Sequence, residues 1–160
     1  MITYVDTSVL IKLLVGEHGS PEAAQLWDRA DTVATCRLTY VETTAALAAA
    51  HRAERLDEDA ERAARRGLEH LWDQCYVVEV DEALASQAAL LARAEQLRGY
   101  DAVHLAAALS IHATVMASAD RDLFRAAAAR GLHVADPTAS SEPETTRSAK
   151  AAEDVTEETS

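Results

Sequence analysis

Five short apolar segments alternate with longer segments of helical character, and this alternation restricts the fold more than any other feature. The apolar segments cover residues 2–5, 31–36, 76–80, 114–117 and 132–135. Short strands that alternate with helices form a parallel sheet, because each helix returns the chain to the same edge. We therefore predict an α/β fold, a three-layer α/β/α sandwich with a central, mainly parallel sheet.

The segments between the predicted strands carry residues that begin and end helices. Ser20 is a suitable N-cap with Pro21 at the first helical position, and Asp57 and Asp81 can cap two later helices. Gly131 stands where a helix ends in the left-handed conformation. We predict helices over residues 8–15, 20–30, 39–53, 57–74, 81–97, 100–112 and 120–130.

The composition changes after Asp136. Residues 137–160 are rich in Ser, Thr, Glu and Ala, contain no aromatic residue, and have Val155 as their only large apolar side chain. A segment of this kind buries too little apolar surface to offset the entropy that ordering costs. We therefore predict one domain over residues 1–136, followed by an acidic, disordered tail over residues 137–160.

The charge of the chain argues against a polyanionic partner. The net charge is −12, and the tail accounts for only part of it, with six acids and two bases. The remaining body is still strongly negative. An enzyme of this charge that acts on nucleic acid needs metal ions in its site or a local basic surface.

Two absences predict a cytoplasmic protein. No apolar run approaches the roughly 20 residues that cross a membrane, and the N-terminus lacks the basic and apolar regions of a signal peptide. Cys36 and Cys75 are too few for a thiolate metal site and in the cytosol are expected to be buried free thiols.

Four acids occupy similar places in the predicted fold. Asp6 directly follows the first strand, and Asp120 follows the fourth. Glu42 lies in the first turn of the helix after the second strand, and Asp101 lies in the first turn of the helix after Gly99. Parallel strands end at one edge of the sheet, where ligands bind at the point of topological reversal. Asp101 joins the other three only if its helix begins at this edge.

Grouped carboxylates repel one another unless a cation compensates their charge. Mg²⁺ or Mn²⁺ fits best, since both prefer oxygen ligands. Such an ion can activate water and stabilise an in-line displacement at phosphorus. The four acids therefore favour phosphodiester hydrolysis.

Each acid also has a purely structural interpretation. Thr39 and Glu42 have the spacing of a capping box, and Asp101 is a favourable charge at a helix N-terminus. Asp120 can cap the helix that follows it. Asp6 fits this interpretation least well, because the two residues after it are equally good caps. It is the combination of the four positions that favours a site.

Four segments resemble the motifs of PIN-domain nucleases, and most closely those of the VapC toxins of bacterial toxin–antitoxin modules. They match in order and spacing and are residues 2–11, 38–42, 100–109 and 118–123. The resemblance implies a PIN-like fold and a Mg²⁺- or Mn²⁺-dependent endoribonuclease that cleaves structured RNA, such as a tRNA or a ribosomal RNA loop. It also implies a homodimer that a VapB-type antitoxin inhibits.

The resemblance assigns roles to individual residues. Asp6, Glu42, Asp101 and Asp120 match the acidic positions of the family. Three further residues match supporting positions: Asp122 as an additional acid, and Ser8 and Ser118 as hydroxyls that hold water or the acids.

Other residues have two open interpretations. Arg62, Arg65 and Arg66 share a helical face that either guides RNA phosphates or is an ordinary solvated surface. His104 either faces the site, one turn after Asp101, or is a packing residue. Tyr100 either stacks on a base or packs at the rim.

Two other functions compete with the nuclease. The first is a phosphatase that uses Asp6 as its nucleophile, but the second acid usual two residues later is replaced by Ser8. The second is a non-catalytic binding protein of the same fold. The presence of all four acids disfavours this alternative without excluding it.

Overall fold

A computed structural model describes residues 1–139 of the chain. The predicted tail therefore lies outside the described residues from residue 140 onward, and the domain boundary stays a prediction. The strands are β1 (Ile2–Val5), β2 (Thr32–Cys36), β3 (Tyr76–Val78), β4 (Val115–Ala117) and β5 (His133–Ala135). The helices are α1 (Thr7–Leu14), α2 (Ser20–Arg29), α3 (Arg37–Arg52), α4 (Glu58–Trp72), α5 (Glu82–Glu95), α6 (Gly99–Ser110) and α7 (Arg121–Ala129).

All five strands pair in parallel, in the order β3-β2-β1-β4-β5. Tyr4 of β1 is aligned with Ala34 of β2 on one side and with Met116 of β4 on the other. The chain therefore builds outward from β1 to β3 and then resumes on the opposite side of β1 with β4. This arrangement confirms the predicted sandwich and puts the point of topological reversal between β1 and β4.

Side chains of the sheet enter two apolar cores, one on each face. In β1 the side chain of Tyr4 packs in one core and that of Val5 in the other, as the two-residue period of a strand requires. The first core includes Leu105 of α6, and the second includes Leu10 of α1. Each fully buried side chain of this kind contributes about 1.5–3 kcal/mol to folding.

The local signals for helix ends are partly confirmed. Asp57 and Asp81 cap α4 and α5, each accepting a hydrogen bond of 2.8 Å from a first-turn amide. The predicted cap at Ser20 is wrong, because Gly19 holds that position with φ +87°. A Cβ atom at Gly19 would lie 2.6 Å from the carbonyl oxygen of Pro137, so the close approach of this later segment explains the glycine.

Within residues 1–139, no helix combines the length and the apolar character that a membrane crossing requires.

Candidate active site

Asp6 lies where the chain leaves β1, at the point of topological reversal. Its side chain is 5% exposed and accepts hydrogen bonds from the hydroxyls of Ser8 and Ser118, both at 2.6 Å, and from the Val9 amide at 3.2 Å. The last contact makes Asp6 the N-cap of α1. Asp6, the acid that fitted the cap interpretation least well, is therefore both a helix cap and an edge residue.

Burial raises the pKa of Asp6, because a charge is poorly stabilised away from water. Contacts with His104, Ser118 and Ser8 act in the opposite direction. The carboxylate is thus held rigidly in a place that disfavours its charge.

Glu42 lies in the second turn of α3, because the helix begins at Arg37 rather than at the predicted Thr39. The capping-box interpretation of Glu42 is wrong. Its Oε2 atom accepts hydrogen bonds from Thr7 at 2.5 Å and from His104 Nε2 at 2.8 Å. Although burial opposes ionisation, these two contacts keep the pKa of Glu42 below its ordinary value.

Asp101 and Asp120 are joined by an arginine that the sequence did not single out. Arg98 donates to Asp101 at 2.7 Å and to Asp120 at 2.9 Å. Asp120 also caps α7, since it accepts hydrogen bonds from the amides of Asp122 and Leu123. The helix that carries Asp101 therefore begins at the site, as the prediction required. The spacing of three residues between Arg98 and Asp101 is the only signal the sequence offered.

Ser118 links Asp6 to Asp120. Its hydroxyl donates to Asp6 at 2.6 Å and accepts from the Asp120 amide at 2.9 Å. A cavity of about 500 Å³ brings Glu42 and Asp101 together with Arg98 and two neighbouring residues, Gly99 and Tyr100. Two of the four acids thus line the cavity, and Asp120 and Asp6 are connected to them through Arg98 and Ser118.

Comparison with known proteins identifies the family of the chain. Residues 3–129 match the model of the PIN domain. The chain belongs to the PIN-domain family. Its PIN domain resembles ribonuclease VapC45 of Mycobacterium tuberculosis with 43% identity over 136 residues, which covers 84% of this chain and 94% of the relative. The family resemblance predicted from the four motifs is confirmed.

Two solved structures share the PIN fold at lower identity. The first is VapC20 of Mycobacterium tuberculosis, a sarcin-ricin loop cleaving toxin, with a TM-score of 0.61, 24% identity, and coverage of 81% of this chain and 95% of that chain. The second is a toxin–antitoxin complex from Klebsiella pneumoniae, with a TM-score of 0.60, 20% identity, and coverage of 84% and 97%. At these identities the likeness establishes the fold.

PIN-domain ribonucleases generally depend on a divalent metal. Within residues 1–139, no three side chains of His, Cys, Asp or Glu lie close enough together to hold a metal ion. Arg98 instead supplies a positive charge between Asp101 and Asp120. The donor set is made of carboxylates, which suit hard cations, and two of these acids already hold a cationic group. The donor chemistry of these residues therefore fits a divalent ion, whereas in the described structure Asp101 and Asp120 are paired with Arg98.

Three further predicted residues of this PIN domain have distinct surroundings. Ser8 holds Asp6 and also accepts a hydrogen bond from the Ala119 amide at 2.9 Å. Asp122 is exposed in the first turn of α7. His104 is 3% exposed and bonds to Glu42, a contact between residues too far apart in sequence for local patterns to indicate.

The arginine face of α4 is partly neutralised by acids of the same helix. Arg62 forms ion pairs with Glu58 and Asp59, and Arg65 lies 3.9 Å from Glu61. These exposed pairs leave the guanidinium groups in solvent and are individually weak. The role of Arg62, Arg65 and Arg66 in RNA binding stays a prediction.

Both cysteines are free thiols, as predicted, although Cys75 is only partly buried. Burial raises the pKa of Cys75 to about 11. Cys36 is fully buried, and although burial opposes its ionisation, contact with His104 lowers its pKa to about 7.

Proposed function

We propose that this PIN-domain chain is a metal-dependent endoribonuclease toxin of the VapC type. It hydrolyses phosphodiester bonds in structured RNA, either a tRNA or a ribosomal RNA. The observation that supports the proposal is a chain of contacts, which joins Asp6 to Asp120 through Ser118 and Asp120 to Asp101 through Arg98. Glu42 lines the same cavity as Asp101. The 43% identity to a named ribonuclease supports the same activity.

Asp6 and Asp120 are the residues that would hold Mg²⁺ or Mn²⁺ most directly, with Glu42 and Asp101 completing the set directly or through water. A bound ion would supply an activated water and neutralise charge on the scissile phosphate. The chain contributes rigid positions for the acids. Asp6 is fixed by two serines and an amide, and Asp120 by two amides of α7.

Arg98 has a second use in this scheme. Its side chain is 77% exposed and lines the cavity beside Glu42. A guanidinium group released from Asp101 and Asp120 retains donors that match phosphate oxygens. Arg98 is therefore the cation that we assign to RNA phosphate near the acids, and Arg62, Arg65 and Arg66 are further candidates for the same role.

We further propose a VapB-type antitoxin and a second copy of the chain as protein partners, in the cytoplasm where the RNA lies. A solved relative of the fold is a toxin–antitoxin complex. An apolar cavity of about 350 Å³ also lies beside the site and shares Tyr100 with it. Exposed apolar surface that includes Val41 and Val80 is suited to a protein contact.

The two competing functions are disfavoured by different observations. The phosphatase is disfavoured because Ser8 takes the place of its usual second acid and donates a hydrogen bond to Asp6 instead. A purely binding role is favoured only by the ion pairs of Arg98, which neutralise Asp101 and Asp120. Both alternatives make different predictions for activity.

In the test, the purified wild-type chain is incubated with total RNA in Mg²⁺ and in EDTA, and the Asp6→Asn variant is incubated with the same RNA in Mg²⁺. We expect cleavage only by the wild type in Mg²⁺, because EDTA removes the ion and Asp6→Asn removes one of its ligands. Asp57→Asn is the matched control, since it makes the same change at an exposed cap of α4. Asn caps helices as well as Asp does.

The remaining outcomes separate the alternatives. RNA cleavage that persists in EDTA or in Asp6→Asn would refute the metal mechanism. Absence of both RNA cleavage and growth arrest on expression supports the binding protein. Turnover of small phosphoesters with an acyl-phosphate trapped on Asp6 supports the phosphatase.

A further inference from the structure

His104 is buried in the interior of the domain with both of its ring nitrogens engaged. Nε2 lies 2.8 Å from Glu42 Oε2, and Nδ1 lies 2.9 Å from the hydroxyl of Tyr4. The side chain is 3% exposed and the ring of Tyr4 packs edge-on against it, with 6.0 Å between the ring centroids. A buried imidazole is costly unless its polar atoms are paired. Here one of the partners is an acid of the proposed site.

The direction of the first hydrogen bond follows from the chemistry of its partner. A carboxylate offers only lone pairs, so the Nε2 atom of His104 carries the hydrogen and donates to Glu42. Tyr4 is fully buried and lies on the opposite side of the imidazole, at Nδ1. The ring is therefore fixed from β1 on one side and directs its donor at α3 on the other.

The two oxygens of Glu42 are used differently. Oε2 accepts from both Thr7 and His104. Within residues 1–139, no donor is hydrogen-bonded to Oε1. Since Glu42 lines the cavity together with Asp101, Oε1 is the oxygen that remains for a cation.

We propose that His104 is a positioning residue that holds Glu42 Oε2 through Nε2–H and leaves Oε1 to bind the metal ion. This inference rests on the proposed function, because it assigns Glu42 to the metal set. Partners that fix a metal ligand from behind commonly contribute about 10- to 100-fold to affinity or activity. Tyr4 supports the same residue one step further away by fixing the imidazole ring.

The contact also accounts for the place of His104 in the sequence. Asp101 and His104 lie one turn apart on α6, and both are buried. One turn of this helix therefore supplies an acid to the site and a support for a second acid, Glu42, which lies on α3.

The experiment measures Mn²⁺ affinity directly, from the loss of the electron paramagnetic resonance signal of free Mn²⁺. The variants are His104→Leu, His104→Gln, Tyr4→Phe, Glu42→Ala and the double variant of His104→Leu with Glu42→Ala. Gln places an amide donor near the position of Nε2, whereas Leu fills the space without a donor. His112→Leu is the control, since His112 is exposed and lies beyond the end of α6.

We expect His104→Leu to weaken Mn²⁺ binding about 10- to 100-fold, and His104→Gln to restore most of the affinity. Tyr4→Phe should cause a smaller loss, and His112→Leu none. In the Glu42→Ala background, His104→Leu should change the affinity no further, because the residue through which it acts is gone. If His104 had only a structural role, His104→Leu would lower the thermal stability of both the wild-type and the Glu42→Ala chains. Its effect on Mn²⁺ affinity would then not depend on Glu42.

Two failures can be told apart. If the wild-type chain binds no Mn²⁺, the proposed metal function itself is refuted. If the wild type binds and folded His104→Leu loses no affinity, if His104→Gln loses as much as His104→Leu, or if the effects of His104→Leu and Glu42→Ala are additive, the positioning role is overturned. If His104→Leu fails to fold, Tyr4→Phe and His104→Asn provide the test, since Asn moves the donor away from Glu42. Unchanged Mn²⁺ affinity in both of these variants would also overturn the positioning role.

Discussion

Asp6 meets two requirements with one side chain, since it caps α1 and presents a carboxylate at the edge of the sheet. The cap uses one hydrogen bond, and Ser8 and Ser118 use two more. An ionised acid at 5% exposure is tolerated only with such partners. The two serines therefore help to keep Asp6 charged, although neither is a proposed metal ligand.

Ser118→Ala should lower the stability of the folded chain. The change removes a donor to the buried Asp6 and an acceptor for the Asp120 amide. A buried group left without its partner costs about 1–3 kcal/mol, and we expect a loss of this size in the free energy of unfolding measured in urea. Ser110→Ala is the control, because within residues 1–139 its hydroxyl bonds only to the Ala107 carbonyl of the same helix. Equal stability of the two variants would contradict this account of Asp6.

Individual residues of the site differ in how far the sequence could predict them. Asp6 and Asp120 stand next to strands, so their positions follow from the alternation of strands and helices. Arg98 was not singled out by the sequence, and His104 was left open between a site residue and a packing residue. Their contacts are with Asp120 and Glu42, which lie 22 and 62 residues away. Such pairs are created by tertiary packing and have no local pattern.

At the scale of the elements, local chemistry predicts helix ends well where the end is exposed. Asp57 and Asp81 cap α4 and α5 in solvent, and both caps were predicted. The start of α3 was misplaced because Thr39 is fully buried and its hydroxyl accepts a hydrogen bond from Thr35. Tertiary burial here overrides a side chain that the local pattern would put at a helix start.

Two helix caps should separate stability from activity. Asp81→Ala removes the cap of α5 and should cost about 1 kcal/mol in the free energy of unfolding while RNA cleavage is unchanged. Asp120→Asn should do the reverse. Asn retains the cap of α7, so stability should stay near that of the wild type, and cleavage should fall by at least about 100-fold because a metal ligand supplies several kcal/mol. Chemical denaturation and RNA cleavage are measured on both variants. Loss of cleavage in folded Asp81→Ala would contradict the assignment.

At the scale of the whole molecule, topology and charge act on the same edge of the sheet. The reversal between β1 and β4 brings together acids that are more than 100 residues apart in sequence, such as Asp6 and Asp120. The fold class could be predicted from the sequence because the strands are short and largely apolar, and a helix follows each of the first four. The net charge of −12 could not be assigned to surfaces in this way, because surface charge depends on packing. Its effect on RNA binding is therefore best tested on the whole chain.

Removal of residues 140–160 should leave the fold intact and strengthen RNA binding. The segment holds six acids and two bases, so its loss reduces the net charge from −12 to −8. We expect the affinity of the cleavage-deficient Asp6→Asn chain for RNA to rise about two- to fivefold at low salt, and the gain to vanish as salt screens the charges. Filter binding at several salt concentrations measures this effect. A chain that ends at Pro137 should in addition lose about 1 kcal/mol of stability, because Thr138 donates two hydrogen bonds to Asp136. Weaker RNA binding by the chain that ends at Ala139 would show instead that the removed residues contact RNA, and a large fall in its melting temperature would show that they stabilise the domain.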